Sequence, residues 1–160
     1  MKLLSLILMV IAVTTATVPY AFAQPRNETD GGFVTVADFP RLVDRVAKTG
    51  KDGAFWVVLV PATARSDGFA ANLQVSIERG VVGMDWVLIA QRNIEDRSKF
   101  VRLVTARKLR PKELNGNGVR YLRVETSEDL AALCAEVLKT TYGVTDATRM
   151  RLIITGFSWP

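Results

Sequence analysis

The sequence predicts an α+β domain in the order helix, three-strand antiparallel meander, helix, strand, helix, strand, with the helices packed on one face of the sheet. Three observations predict it. Residues 39–47 carry apolar side chains at helical spacing. Leu73, Val75 and Ile77 alternate with polar residues and face a second apolar run across Arg79-Gly80. From Leu130 to Thr141 the helical spacing returns for three turns.

Phe39, Leu42, Val43, Val46 and Ala47 keep the i, i+3, i+4, i+7, i+8 rhythm of an amphipathic helix, with Asp38 as N-cap, Pro40 in the first turn and Gly50 beyond the end. Residues 55–60, Phe-Trp-Val-Val-Leu-Val before Pro61, read as a strand covered on both faces. Residues 62–71, with Ser66-Asp67-Gly68, read as a loop. If Arg79-Gly80 makes a two-residue turn, Ile77 pairs with Val82, Val75 with Met84 and Leu73 with Trp86, and all six share one face. Asn93, with Asp96 three residues on, opens a helix whose apolar stripe is Phe100, Val101, Leu103 and Val104. Residues 109–118 read as a loop leading to a strand over 119–125. Ser127 caps a third helix with Leu130, Leu133, Cys134, Val137, Leu138 and Thr141 inward and Gly143 as its stop. A final strand covers residues 150–157.

The chain opens on one lysine and a short greasy run, Leu3 to Val13, too short to cross a bilayer comfortably. Polar residues follow, then Ala21-Phe22-Ala23, which puts small side chains where a signal peptidase needs them. Residues 1–23 are therefore expected to be a cleaved signal peptide, residues 24–32 a flexible lead, and residues 33–160 a single domain, periplasmic or secreted, with no transmembrane segment in the mature chain. Asn27-Glu28-Thr29 matches a glycosylation acceptor, which matters only in a eukaryotic secretory route.

Composition excludes several chemistries. The sequence has no histidine, so every Ser-His or Cys-His catalytic pair is impossible and the commonest metal ligand is missing. Its single cysteine, Cys134, allows no intrachain disulfide, and stability must come from packing. Cys134 lies among Leu130, Leu133, Val137 and Leu138, the setting of a small buried hydrophobe rather than of a reactive thiol. No cofactor or metal is expected.

The formal net charge of +5 is unevenly spread. Between Arg92 and Arg123 the basic residues Arg92, Arg97, Lys99, Arg102, Arg107, Lys108, Arg110, Lys112, Arg120 and Arg123 far outnumber Glu95, Asp96 and Glu113. The candidate binding residues are Arg102, Arg107, Lys108, Arg110 and Lys112, on a helix and its exit. Such a face suits an acidic protein or an anionic envelope component, with affinity falling as salt rises; a solvated helix face with local ion pairs is the plainer alternative. Nucleic acid is not expected for an exported chain, and oligomeric state is left open.

Asp85 interrupts an apolar strand. It could be a buried acid of raised pKa, which with Asp67 would suggest a small carboxylate-dependent hydrolase or transferase. The hairpin register instead sets it opposite Gln74, away from Met84 and Trp86, where water or an arginine from a neighbouring strand satisfies it. Glu95 and Asp96 could ligate a cation, but beside Asn93 their simpler role is capping. Trp56 and Trp86 read as core; Trp159, with Phe157, reads as a cover for the core or as an exposed anchor for a partner.

The element order, together with Asn72-Leu73-Gln74-Val75-Ser76-Ile77-Glu78 before a glycine turn and Leu138-Lys139-Thr140-Thr141-Tyr142-Gly143-Val144 closing a helix, resembles the type III secretion chaperone-like domains over about residues 33–144. The resemblance implies a non-enzymatic domain that binds a protein partner through its sheet or a helix face. It supplies no catalytic or binding motif to carry over. Those proteins usually act in the cytoplasm, and the strand after Val144 is an addition to their pattern.

Overall fold

The computed structural model describes residues 28–61, 71–116, 118–126 and 128–160. The predicted signal peptide, Asn27, the loop with Asp67, and Ser127 lie outside the described residues. Those described form an α+β fold with one antiparallel sheet and four helices. In chain order the elements are β1 (Thr29–Val34), α1 (Phe39–Thr49), β2 (Phe55–Leu59), β3 (Asn72–Glu78), β4 (Val81–Val87), the short α2 (Gln91–Glu95), α3 (Arg97–Ala106), β5 (Lys112–Gly116), β6 (Val119–Val124), α4 (Leu130–Tyr142) and β7 (Met150–Thr155). The sheet order is β1-β7-β2-β3-β4-β6-β5.

Two strands depart from the expected order. β1 runs through what the sequence suggests is lead, because Thr29 to Val34 pairs with β7 from the other end of the chain. Its register slips between Asp30 and Gly32, and Gly31 lies so close to Leu152 that an added Cβ would meet Cδ2 at 2.6 Å. β5 occupies part of the expected loop 109–118 and pairs with β6 across Gly118, whose φ is +78°. Both are edge strands of polar or glycine-rich sequence, which suits an edge that must not template further pairing.

The central hairpin follows from side-chain alternation. Arg79 and Gly80 both have positive φ (52° and 76°), the geometry of a type I′ turn, and Val75 pairs with Met84 and Ile77 with Val82. That register turns Trp56, Leu73, Val75, Met84 and Trp86 to one face, where all are fully buried. The helices cover this face. Phe39 of α1 lies 5.3 Å from Trp56, and Phe100 of α3 and Tyr142 of α4 stack on Trp86 at 4.7 and 5.6 Å. Removing side chains of this size from water stabilises the fold by about 1.5–3 kcal/mol each.

Helix starts obey tertiary demands as much as local ones. Asp38 stands at the N-cap of α1, but its carboxylate turns back to accept from the Thr35 N–H at 3.0 Å, closing a 3-10 turn over Val36–Asp38. Asp129, not Ser127, caps α4, accepting from the Ala132 N–H at 3.0 Å. Asn93 is not a cap. It lies inside α2 and is wholly buried. Its Nδ2 donates to the Asn72 carbonyl (2.8 Å), the Val87 carbonyl (2.9 Å) and Asn72 Oδ1 (3.2 Å). Its Oδ1 accepts from Tyr142 Oη (2.7 Å) and the Asn72 N–H (3.3 Å), while its carbonyl accepts from Trp86 Nε1 (2.8 Å). One side chain thus ties β3, the end of β4 and α4 together.

Candidate functional site

The face of the sheet away from Trp56 and Trp86 carries a polar cluster built around two buried charges. Gln74 stands opposite Asp85 in the β3–β4 ladder, and Asp85 stands opposite Arg123 in the β4–β6 ladder. The Asp85 side chain is 0% exposed and that of Arg123 1%. Arg123 Nη1 donates to Asp85 Oδ1 at 2.8 Å and to Ser76 Oγ at 2.9 Å; Ser76 Oγ and Gln74 Nε2 donate to Asp85 Oδ2 at 2.5 and 3.2 Å. Arg123 Nη2 donates to the Val81 carbonyl at 2.7 Å, and Nε donates to Glu125 at 2.9 Å with Glu78 3.8 Å away. The guanidinium lies against Gly83, where a Cβ would meet Cζ at 2.8 Å, so only glycine leaves room for it.

This arrangement assigns Asp85 a structural role. Burial pushes its carboxyl above the ordinary value, and the bonds from Ser76 and Arg123 offset that push only in part. Both oxygens meet donors, the pattern that holds a carboxylate ionised. Burial works against the Arg123 charge too, but Asp85, Glu125 and Glu78 outweigh it and hold the guanidinium above its ordinary value. With both oxygens engaged and no exposed surface, Asp85 is not placed to exchange a proton with a substrate. The sequence leaves water or an arginine from a neighbouring strand as its partner, and the structure supplies Arg123. Arg123 in turn is a buried structural cation, not part of the basic surface.

Tyr121 closes the cluster, its Oη donating to Glu78 at 2.8 Å. Burial first, and then the bond to Glu78, pushes its hydroxyl up to about 12. A raised folded pKa contributes stability that is complete below the unfolded value near 10 and is lost as pH rises through about 12. Denaturant unfolding between pH 9 and 12 is therefore expected to show an alkaline fall in stability that Tyr121→Phe diminishes. An undiminished fall in Tyr121→Phe would assign it to another group.

The five candidate basic residues are all exposed, and the structure divides them. Arg107 is bonded to Glu136 of α4 and lies 4.0 Å from Glu128, and Lys112 lies 3.5 Å from Glu125. Their neighbours are largely neutralised as well. Arg97 and Arg120 share Glu113 at 2.7 and 3.5 Å, Lys99 meets Asp96 at 2.7 Å, and the Arg92 guanidinium sits 4.7 Å over the Tyr142 ring. Arg102, Lys108 and Arg110 have no ion-pair partner among the described residues. Arg102 lies midway between Phe100 and Val104 in sequence, so helical spacing turns it away from the core that both occupy.

The remaining candidates resolve into structural roles. Cys134 is fully buried, and burial pushes its thiol well above the ordinary value, which leaves it inert as a nucleophile. Glu95 accepts from Gln91 at 2.9 Å and Asp96 pairs with Lys99. Among the described residues no three His, Cys, Asp or Glu side chains converge to hold a metal ion, and no helix is long and apolar enough to cross a membrane. Trp159 and Phe157 pack, partly buried, against the core. The Arg41 guanidinium lies 5.0 Å over the Trp159 ring, and Arg45 donates to the Ser158 carbonyl at 3.1 Å, so the chain end is fastened along α1.

No family model matches this chain, and neither a curated protein nor a solved structure matches it significantly.

Proposed function

We propose that this chain is an exported, non-enzymatic binding or adaptor domain that engages an anionic partner of the cell envelope through the exit of α3. The reading rests on one observation: the described acids nearest the basic segment are spent on internal partners, while Arg102, Lys108 and Arg110 stay exposed and unpaired. A greasy leader ending in Ala21-Phe22-Ala23 supports export to the periplasm or beyond. The chaperone-like order of elements supports partner binding over catalysis, and the locked Asp85 favours it further.

Charge reversal tests the reading. The variant carrying Arg102→Glu, Lys108→Glu and Arg110→Glu is expected to lose most of its capture of envelope components in a pull-down from the native envelope. Its unfolding midpoint should stay near that of the parent, since exposed unpaired charges contribute little to stability. Capture equal to that of the parent would reject this face as the contact.

A further inference from the structure

One of the three cations stands on an unusual backbone. Lys108 has φ +61° in the turn that closes α3, where its N–H donates to the Thr105 carbonyl at 2.8 Å and the Leu109 N–H donates to the Val104 carbonyl at 3.0 Å. That pair of bonds is the glycine-favouring helix stop, and α4 uses Gly143 at φ +67° for its own left-handed stop. A lysine in the left-handed region meets a steric cost that glycine avoids. The chain therefore keeps a cation at a place where backbone stability alone would select glycine, and side chains held against such a preference concentrate at functional sites.

The make-up of the stretch that carries these cations narrows the partner. Among the described residues the exposed large apolar side chains are Phe33, Val81, Ile89 and Ile94, none of them within residues 97–112. A bilayer-docking face buries apolar side chains below the headgroups. A protein interface centres on an apolar or aromatic anchor, and a single-stranded nucleic acid needs aromatic rings to stack on. This stretch offers none of these. It offers separated, solvated cations, which suit a hydrophilic polymer whose negative charges recur along a flexible chain.

We infer that Arg102, Lys108 and Arg110 form a docking surface for an acidic polysaccharide, each cation meeting a separate carboxylate. The inference rests on the exported-binder reading and names its partner. Arg107 and Lys112 remain on Glu136 and Glu125, holding the turn in place.

The test titrates the purified protein with alginate, a polyuronate, alongside poly-glutamate and vesicles containing phosphatidylglycerol. Alginate is expected to bind with an affinity that falls as salt rises, and to bind the triple reversal variant roughly ten-fold or more weakly, because each reversal replaces an attraction by a repulsion. Lys108→Gly is expected to weaken alginate binding while raising the unfolding midpoint. A Lys108→Gly variant that gains stability and binds alginate as well as the parent overturns the role of Lys108. Equal alginate binding by the triple variant, or preference for poly-glutamate or vesicles, overturns the inference. If alginate is not bound but envelope capture still depends on the three cations, the polysaccharide is wrong and the adaptor reading stands; if capture is independent of them as well, both fall.

Discussion

Replacing Arg123 by methionine lowers the free energy of unfolding by about 3–5 kcal/mol, the cost of leaving a buried carboxylate without its counter-charge. The side chain it removes meets Asp85, Ser76, Glu125 and the Val81 carbonyl, and methionine replaces none of those bonds. In the variant the Asp85 carboxyl sits in the same buried place without the guanidinium, so its folded pKa, already above the ordinary value, rises further. Stability in that case is complete below the unfolded value and declines as pH rises through the folded one, so the deficit is larger at pH 7 than at pH 5. Pairing Arg123→Met with Asp85→Leu recovers much of the loss, because an apolar pair carries no unmatched charge. Denaturant unfolding of the two single variants and the double variant measures this cycle. Additive losses would show that the two charges are not coupled.

Asn93→Ala is the second large effect, expected to cost about 3 kcal/mol. The deletion strands the part-buried Asn72 backbone and Val87 carbonyl and the buried Tyr142 hydroxyl. Each stranded group costs on the order of 1 kcal/mol or more. Asn93→Asp is expected to be at least as damaging, since it keeps an acceptor for Tyr142 but turns the donor side toward two carbonyls as a second acceptor. Thermal or denaturant unfolding reads both variants. A loss below about 0.5 kcal/mol in Asn93→Ala would mean that water takes over those bonds.

These two residues also mark where the sequence is legible and where it is not. The β3–β4 register is readable because alternation and a two-residue turn specify it together, and a slip of one position would expose Val75, Met84 and Trp86 at once. The same reasoning puts Asp85 on the polar side and offers water or an arginine as its partner. It does not single out Arg123, which lies in a run of cations that look alike in sequence. A signal is present, however: in β6, Arg123 alternates with buried Leu122 and Val124, so its face was open to reasoning even though its burial was not.

Asn93 misleads because a local capping pattern and a long-range bond network call for the same residue type. β1 and β5 are invisible for a different reason. Thr29-Asp30-Gly31-Gly32 and Lys112-Glu113-Leu114-Asn115-Gly116 have no apolar alternation, and they become strands only because β7 and β6 lend them partners. Local sequence records propensity, whereas an edge strand records its neighbour.

The basic segment shows a similar division. Its excess charge is plain in composition, yet pairing with Glu113, Glu125, Glu128 and Glu136 depends on where α4 and the β5–β6 hairpin come to rest. Only the folded arrangement separates Arg102, Lys108 and Arg110 from their neutralised neighbours. The left-handed backbone of Lys108 has no sequence signal at all, since lysine is not a residue that announces a helix stop.

Site-resolved photo-crosslinking in the native envelope tests the central claim most directly. Crosslinkers placed singly at exposed Thr105 and Ala106 in the last turn of α3, and at exposed Lys51 and Thr145 as controls, would be activated in intact envelopes and their adducts compared. Adducts from Thr105 and Ala106 that vanish with Arg102→Glu, Lys108→Glu and Arg110→Glu, with little from Lys51 and Thr145, are the predicted result. Adducts confined to Lys51 or Thr145, or adducts at Thr105 untouched by the three reversals, would contradict it.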